Sequence, residues 1–121
     1  MIEVPLLNIG FLFFYAKDGE NITKHLNKKK NKYASDWLKK HTTEFDLKGC
    51  AGCLIYKEED NLPLILYIKA GKKDWNLFQT VIHETSHLVD RLFKKCQIGD
   101  ETEFRAYMTE HLFKVIRKKI Q

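Results

Sequence analysis

Several residue types are scarce in this chain, and each scarcity narrows its reading. Cysteine occurs 3 times in 121 residues, at Cys50, Cys53 and Cys96. So small and odd a number excludes a disulfide-stapled scaffold and points to a reducing, cytoplasmic setting. Cys50 and Cys53 have Cys-x-x-Cys spacing, but a four-ligand metal site there would need two more soft ligands. The pair reads more simply as small residues opening a strand. Proline occurs only at Pro5 and Pro63. Of 21 basic residues, only Arg91, Arg105 and Arg117 are arginines, which disfavours the bidentate base reading of a sequence-specific DNA-binding protein. No apolar run approaches the ~20 residues that a membrane span requires. The most apolar segment, 6–16, follows an acidic rather than a lysine-rich leader and is broken by Asn8 and Gly10. It reads as a buried strand, not a signal peptide.

What remains is 44% hydrophobic and 31% charged residues with a formal net charge of +5. This suits one ordinary domain spanning residues 1–121, with an anionic partner permitted but not required. Apolar and aromatic content predicts a strand from Ile2 to Leu7 that continues through Ile9 to Tyr15. Asp18-Gly19 predicts a turn, and residues 20–30 and 32–40 read as short helices. Lys24 to Lys40 is the most basic stretch. Residues 51–57 and 62–69 flank Glu58-Glu59-Asp60-Asn61 as a hairpin. Pro63, lacking a backbone donor, belongs at a strand start or a sheet edge, which makes the 62–69 strand a candidate edge.

Asp74 is a suitable N-cap for a helix from Trp75 to about Lys95. Phe78, Ile82, Val89 and Phe93 supply one apolar stripe of that helix, and Val81, Leu88 and Leu92 another. A tight connection follows at Cys96–Asp100, with Gly99 suited to the turn. A last helix runs from about Glu101 to Lys118, with Phe104, Met108, Leu112 and Val115 toward the core. The resulting fold class is α+β: a small, mostly antiparallel sheet of three or four strands packed on two helices.

The chemical signal is His83-Glu84-Thr85-Ser86-His87 within the longer helix. Residues four apart share a helical face, so two imidazoles can grip one metal ion with Glu84 beside it. Zinc suits two neutral ring nitrogens and a carboxylate, leaving a fourth position for water. A neighbouring carboxylate can take the proton of that water as it attacks a carbonyl. The plainer alternative is a pair of histidines hydrogen-bonded within a core-like helix. Glu103 is the first candidate for a third ligand, because a short connection returns the last helix antiparallel to the first. Glu101 and Asp90 are its rivals. Asp90 also suits a supporting role toward a ligand ring, or a surface pair with Lys94 four residues on.

This string, followed by an acid on a second helix, resembles the gluzincin group of zinc metallopeptidases. Asp100-Glu-Thr-Glu-Phe-Arg-Ala-Tyr107 is similar to the Glu-x-x-Ala-Tyr motif of very small zincins. Those include phage- and prophage-encoded metallopeptidases and a minimal repressor-cleaving peptidase domain. The resemblance covers about a third of the chain. It implies a minimal zincin-like fold and zinc held by His83, His87 and Glu103. It also implies Glu84 as general base and a peptide or protein substrate. Tyr107, one turn beyond Glu103, is a candidate oxyanion donor, or else an aromatic packed between the helices. His111 and Glu110 share its side of the helix and read most simply as solvent-exposed.

Two other classes stay open. A metal-stabilised structural or interaction protein would keep the site without turnover. A nucleic-acid-binding protein would use the Lys24–Lys40 stretch, with Tyr33 and Trp37 interleaved, and Arg117-Lys118-Lys119.

Overall fold

Pro5 ends the first strand early, because its ring removes a backbone donor and fixes φ. In a computed structural model of the chain, β1 (Ile2–Val4) is followed by a turn in which Leu6 takes a φ of 68°. The chain then returns antiparallel as β2 (Ile9–Ala16), pairing Val4 with Ile9 and Ile2 with Phe11. The single long strand expected from Ile2 to Tyr15 is therefore a hairpin.

The structure describes residues 2–7, 9–17, 51–55, 64–99 and 101–121. The expected helices at 20–30 and 32–40, the basic Lys24–Lys40 stretch, Cys50, the hairpin turn at 58–61, Pro63 and Asp100 lie outside them.

Strands β3 (Gly52–Ile55) and β4 (Leu64–Lys69) pair antiparallel, as expected of the hairpin. The sheet order is β1-β2-β4-β3, with β2 and β4 parallel in register Phe11↔Leu64 to Ala16↔Lys69. The sheet is thus mixed: both outer pairings are antiparallel and the central one is parallel. The expectation of an edge strand at 62–69 is corrected here. β4 is interior to the sheet, and β3 is the outer strand. The reason is burial, since Leu64, Ile65, Leu66, Tyr67 and Ile68 are all buried. A strand apolar on both faces belongs inside a sheet.

Leu64, Leu66 and Ile68 join Phe11 in the core that meets the helices. Helix α1 (Trp75–Lys95) begins at Asp74, whose carboxylate accepts from the Leu77 N–H at 3.2 Å. It lays Leu77, Val81, Leu88 and Leu92 into that core. Ile82, expected in the apolar stripe, is 49% exposed.

The turn after α1 is made by Gln97, not Gly99. Gln97 adopts a φ of 55°, so that Ile98 N–H donates to Phe93 O at 2.9 Å and Gln97 N–H donates to Lys94 O at 3.1 Å. These two bonds close a Schellman motif. Helix α2 (Thr102–Ile120) then runs back antiparallel, stacking Phe104 on Phe93 and setting Arg117 over Phe78. It buries Met108, Leu112, Ile116 and Ile120. Ile116 takes the place expected of Val115, which is only half-buried, and the helix runs two residues beyond Lys118.

Candidate active site

Helical spacing sorts the motif before any contact is considered. At 100° per residue, Glu84 falls toward the sheet side of α1, while His83 and His87 fall toward solvent. Glu84 is accordingly 7% exposed and both histidines are exposed. The two imidazoles converge, with Nε2 to Nε2 at 3.1 Å and the rings edge-to-face at 80° with 4.7 Å between centroids. Two ring lone pairs cannot face each other at that separation unless a proton or a cation lies between them.

The pair also fits half of a zinc site. Nitrogens bound at about 2.0–2.1 Å in tetrahedral geometry stand roughly 3.3 Å apart, close to the spacing present. The other half is not assembled: among the described residues, no three of His, Cys, Asp and Glu are grouped closely enough to hold a metal ion.

Burial raises the pKa of the Glu84 carboxyl above the ordinary glutamate value, and the electrostatic influence of His83 and His87 opposes that shift. Beside it opens a cleft of about 390 Å³, walled by Gly52, Cys53 and Leu54 of β3 on one side and Glu84, His87, Asp90 and Arg91 of α1 on the other. The helix can approach this strand closely because Gly52 has no side chain. A Cβ there would stand 2.9 Å from Thr80 Cγ2 and 3.1 Å from the Tyr67 carbonyl oxygen. The absence of a Cβ thus sets the width of the cleft at its base.

No protein-family profile, curated protein or solved structure matches the chain. Its site is therefore read from its own geometry.

The structure brings His83, Glu84 and His87 together on α1, with Asp90 lining the same cleft. Glu103 is exposed in the first turn of α2, at the level of the Phe93–Phe104 stack. Phe93 lies six residues, or about 9 Å, beyond His87 along the α1 axis. Glu101 caps α2, accepting from the Glu103 N–H at 3.2 Å. Asp90 lines the cleft and carries the surface pair considered for it, 3.4 Å from Lys94 Nζ, and a second ion pair with Arg105 at 3.5 Å.

Tyr107 is 51% exposed, its ring stacked on His111 of the same helix. It is neither among the residues lining the cleft nor packed between the helices, because Met108 and Leu112 take the inward face. Glu110 is exposed and pairs with Lys114 at 3.0 Å, while His111 is half-buried. Cys96 is a free thiol. No helix among the described residues is long and apolar enough to cross a membrane.

Two features of the cleft escape a motif-centred reading of the sequence. One is the β3 wall, which depends on strand order. The other is Arg91, whose signal is spacing: it stands seven residues after Glu84 and four after His87, hence on their side of the helix.

Proposed function

We propose that the protein is a zinc-dependent peptidase of minimal zincin-like architecture. The observation that carries this reading is the convergence of the His83 and His87 Nε2 atoms beside a buried carboxyl, Glu84, that opens on a cleft along an outer strand. Zinc, when bound, supplies a Lewis acid that polarises a carbonyl and acidifies water. His83 and His87 hold the ion. Glu84 accepts the proton of the attacking water and delivers it to the leaving amine. The β3 wall orients an extended peptide across Glu84.

Glu103 is the third ligand that the family resemblance suggests. Asp90 is its geometric rival, because it already lines the cleft one turn beyond His87.

A second reading, a metal-stabilised protein without turnover, draws on the burial of Glu84, which raises its pKa and so opposes its ionisation. One measurement addresses site and ligand together: metal content by mass spectrometry of untagged protein, with His83→Ala, Glu103→Ala and Asp90→Asn beside the parent. The expected result is about one zinc per chain, lost in His83→Ala and in one of the two acid variants, which identifies the third ligand. A parent that takes up no zinc even after reconstitution sinks the metalloprotein reading.

A further inference from the structure

One end of the helix pair gathers positive charge around an exposed aromatic ring. Lys72 and Lys73 precede α1, and Arg117, Lys118 and Lys119 lie in the last turn of α2; all are exposed. The two groups are far apart in sequence, and the antiparallel packing of the helices joins them. The Arg117 guanidinium stands 5.6 Å from the centre of the Phe78 ring, which sets the end of α2 against the beginning of α1. Residues 118–120 are therefore level with the first turn of α1, where Trp75 stands.

Fold stability accounts for only half of this charge. Cations in the last turn of α2 suit the negative end of its dipole. Lysines in front of α1 do not, because a helix start favours acids, and the first turn of α1 has none. The acid beside them, Asp74, turns its carboxylate to the Leu77 N–H at 3.2 Å. Along α2 no acid follows Glu110, which pairs with Lys114 at 3.0 Å. Lys72, Lys73, Lys118 and Lys119 form no ion pair with a described residue.

Among these cations Trp75 is 68% exposed. An indole left in water adds little to the core, and its face is a platform on which any unpaired base can stack. A bilayer surface would ask for a continuous apolar face instead. The next exposed large apolar residue of α1, Ile82, is seven residues or about 10 Å on, with exposed Gln79 between. The predominance of lysine suits phosphates met as point charges, not base edges read by paired hydrogen bonds.

We infer that this end of the molecule binds single-stranded nucleic acid without sequence preference. Trp75 stacks on a base, and Lys72, Lys73, Lys118 and Lys119 neutralise the flanking phosphates. The surface lies about 12 Å along α1 from His83 and stands whether or not the cleft hydrolyses peptides.

The test uses the full chain in EDTA, so that metal plays no part. Its probe is a fluorescein-labelled oligo-dT of twelve nucleotides, followed by fluorescence anisotropy across a salt series. The logarithm of the binding constant should fall linearly with that of salt, with a slope of about −2 to −3 for three or four phosphates neutralised. Trp75→Ala should weaken binding about tenfold, and Trp75→Phe should keep most of it. Lys118→Gln with Lys119→Gln should make the slope shallower by about one. Circular dichroism checks that each variant is folded.

Absence of binding overturns the inference, as does affinity that survives Trp75→Ala. Loss of binding in a Lys28→Gln, Lys29→Gln, Lys30→Gln variant, with none in the Trp75 and Lys118 variants, would move the contact to the 24–40 stretch. A duplex bound as tightly as the single strand overturns stacking on Trp75. Binding to phosphatidylserine vesicles without binding to the oligonucleotide would assign this end to a membrane surface and overturn the nucleic-acid reading.

Discussion

Helices α1 and α2 are 21 and 19 residues long and pack antiparallel against each other, yet their buried faces are built by different rules. The buried residues of α2 are Met108, Leu112, Ile116 and Ile120, an unbroken apolar row at a spacing of four. Those of α1 include Glu84 and Thr85, two adjacent polar residues in the middle of the helix. A helix that only has to hold a fold has no reason to bury a carboxyl and a hydroxyl, because each loses hydration on burial. The departure falls inside the His83–His87 string and nowhere on α2. Local sequence rules are broken where a site is built.

The sharpest way to break this contrast is to remove the polar group from α1 without changing its shape. Glu84→Gln should lower peptide hydrolysis by about a thousandfold, within the range attributed to general acid–base groups, and leave zinc content unchanged. The same substitution has an opposite effect on stability. Burial raises the Glu84 pKa, so the folded protein binds its proton more tightly than the unfolded chain does. Stability in chelator should therefore fall as pH rises from the ordinary glutamate range through the raised value of Glu84. Glu84→Gln should flatten that slope and melt above the parent at neutral pH. A parent and variant with identical melting points at every pH would show that the buried carboxyl carries no strain.

The complementary change belongs to α2. Leu112→Ala removes a fully buried side chain from the apolar row and should cost about 3 kcal/mol in denaturant unfolding. Under conditions where the variant is still folded, its zinc content should match the parent. Loss of zinc from a folded Leu112→Ala protein would mean that α2 shapes the metal site, and the division of labour between the helices would fall.

The same contrast explains how much was legible in advance. Helix α1 and its cap announced themselves, because Asp74, the apolar positions and the two histidines four apart are all local signals. The pairing of β3 with β4 was legible for the same reason. Strand order was not. The parallel contact of β2 with β4 joins residues more than fifty apart, and no local pattern encodes it. Pro63 suits a strand start as well as an edge, and it is the run Leu64 to Ile68, apolar and buried on both faces, that belongs inside the sheet.

The turn after α1 was assigned to Gly99 by residue type, whereas the backbone puts the left-handed residue at Gln97. The site divides likewise. His83, Glu84 and His87 follow from helical spacing alone. A third ligand from α2 would depend on the register of α2 against α1, which the Phe93–Phe104 stack helps to fix and no local pattern encodes.

The smallest effect tests the neighbour of Glu84. Thr85 is fully buried, and its hydroxyl has no hydrogen-bond partner. A helical threonine ordinarily offers its hydroxyl to a carbonyl one turn back, and that bond is absent here. The desolvation of an unsatisfied hydroxyl costs about 1–3 kcal/mol. Valine has the same branched shape with a methyl in place of the oxygen. Thr85→Val should therefore stabilise the fold by about 1 kcal/mol, seen as a rise of roughly 4 °C in Tm. Because Thr85 lies toward the core and not in the cleft lining, peptide turnover should stay within about twofold of the parent. Unchanged turnover with higher stability would confine the functional departure on α1 to Glu84 and leave Thr85 as a tolerated defect in the core. A variant that is less stable, or stable but inactive, would show that the hydroxyl is engaged when the site is occupied. The functional stretch of α1 would then extend inward from the histidines through Glu84 to the core.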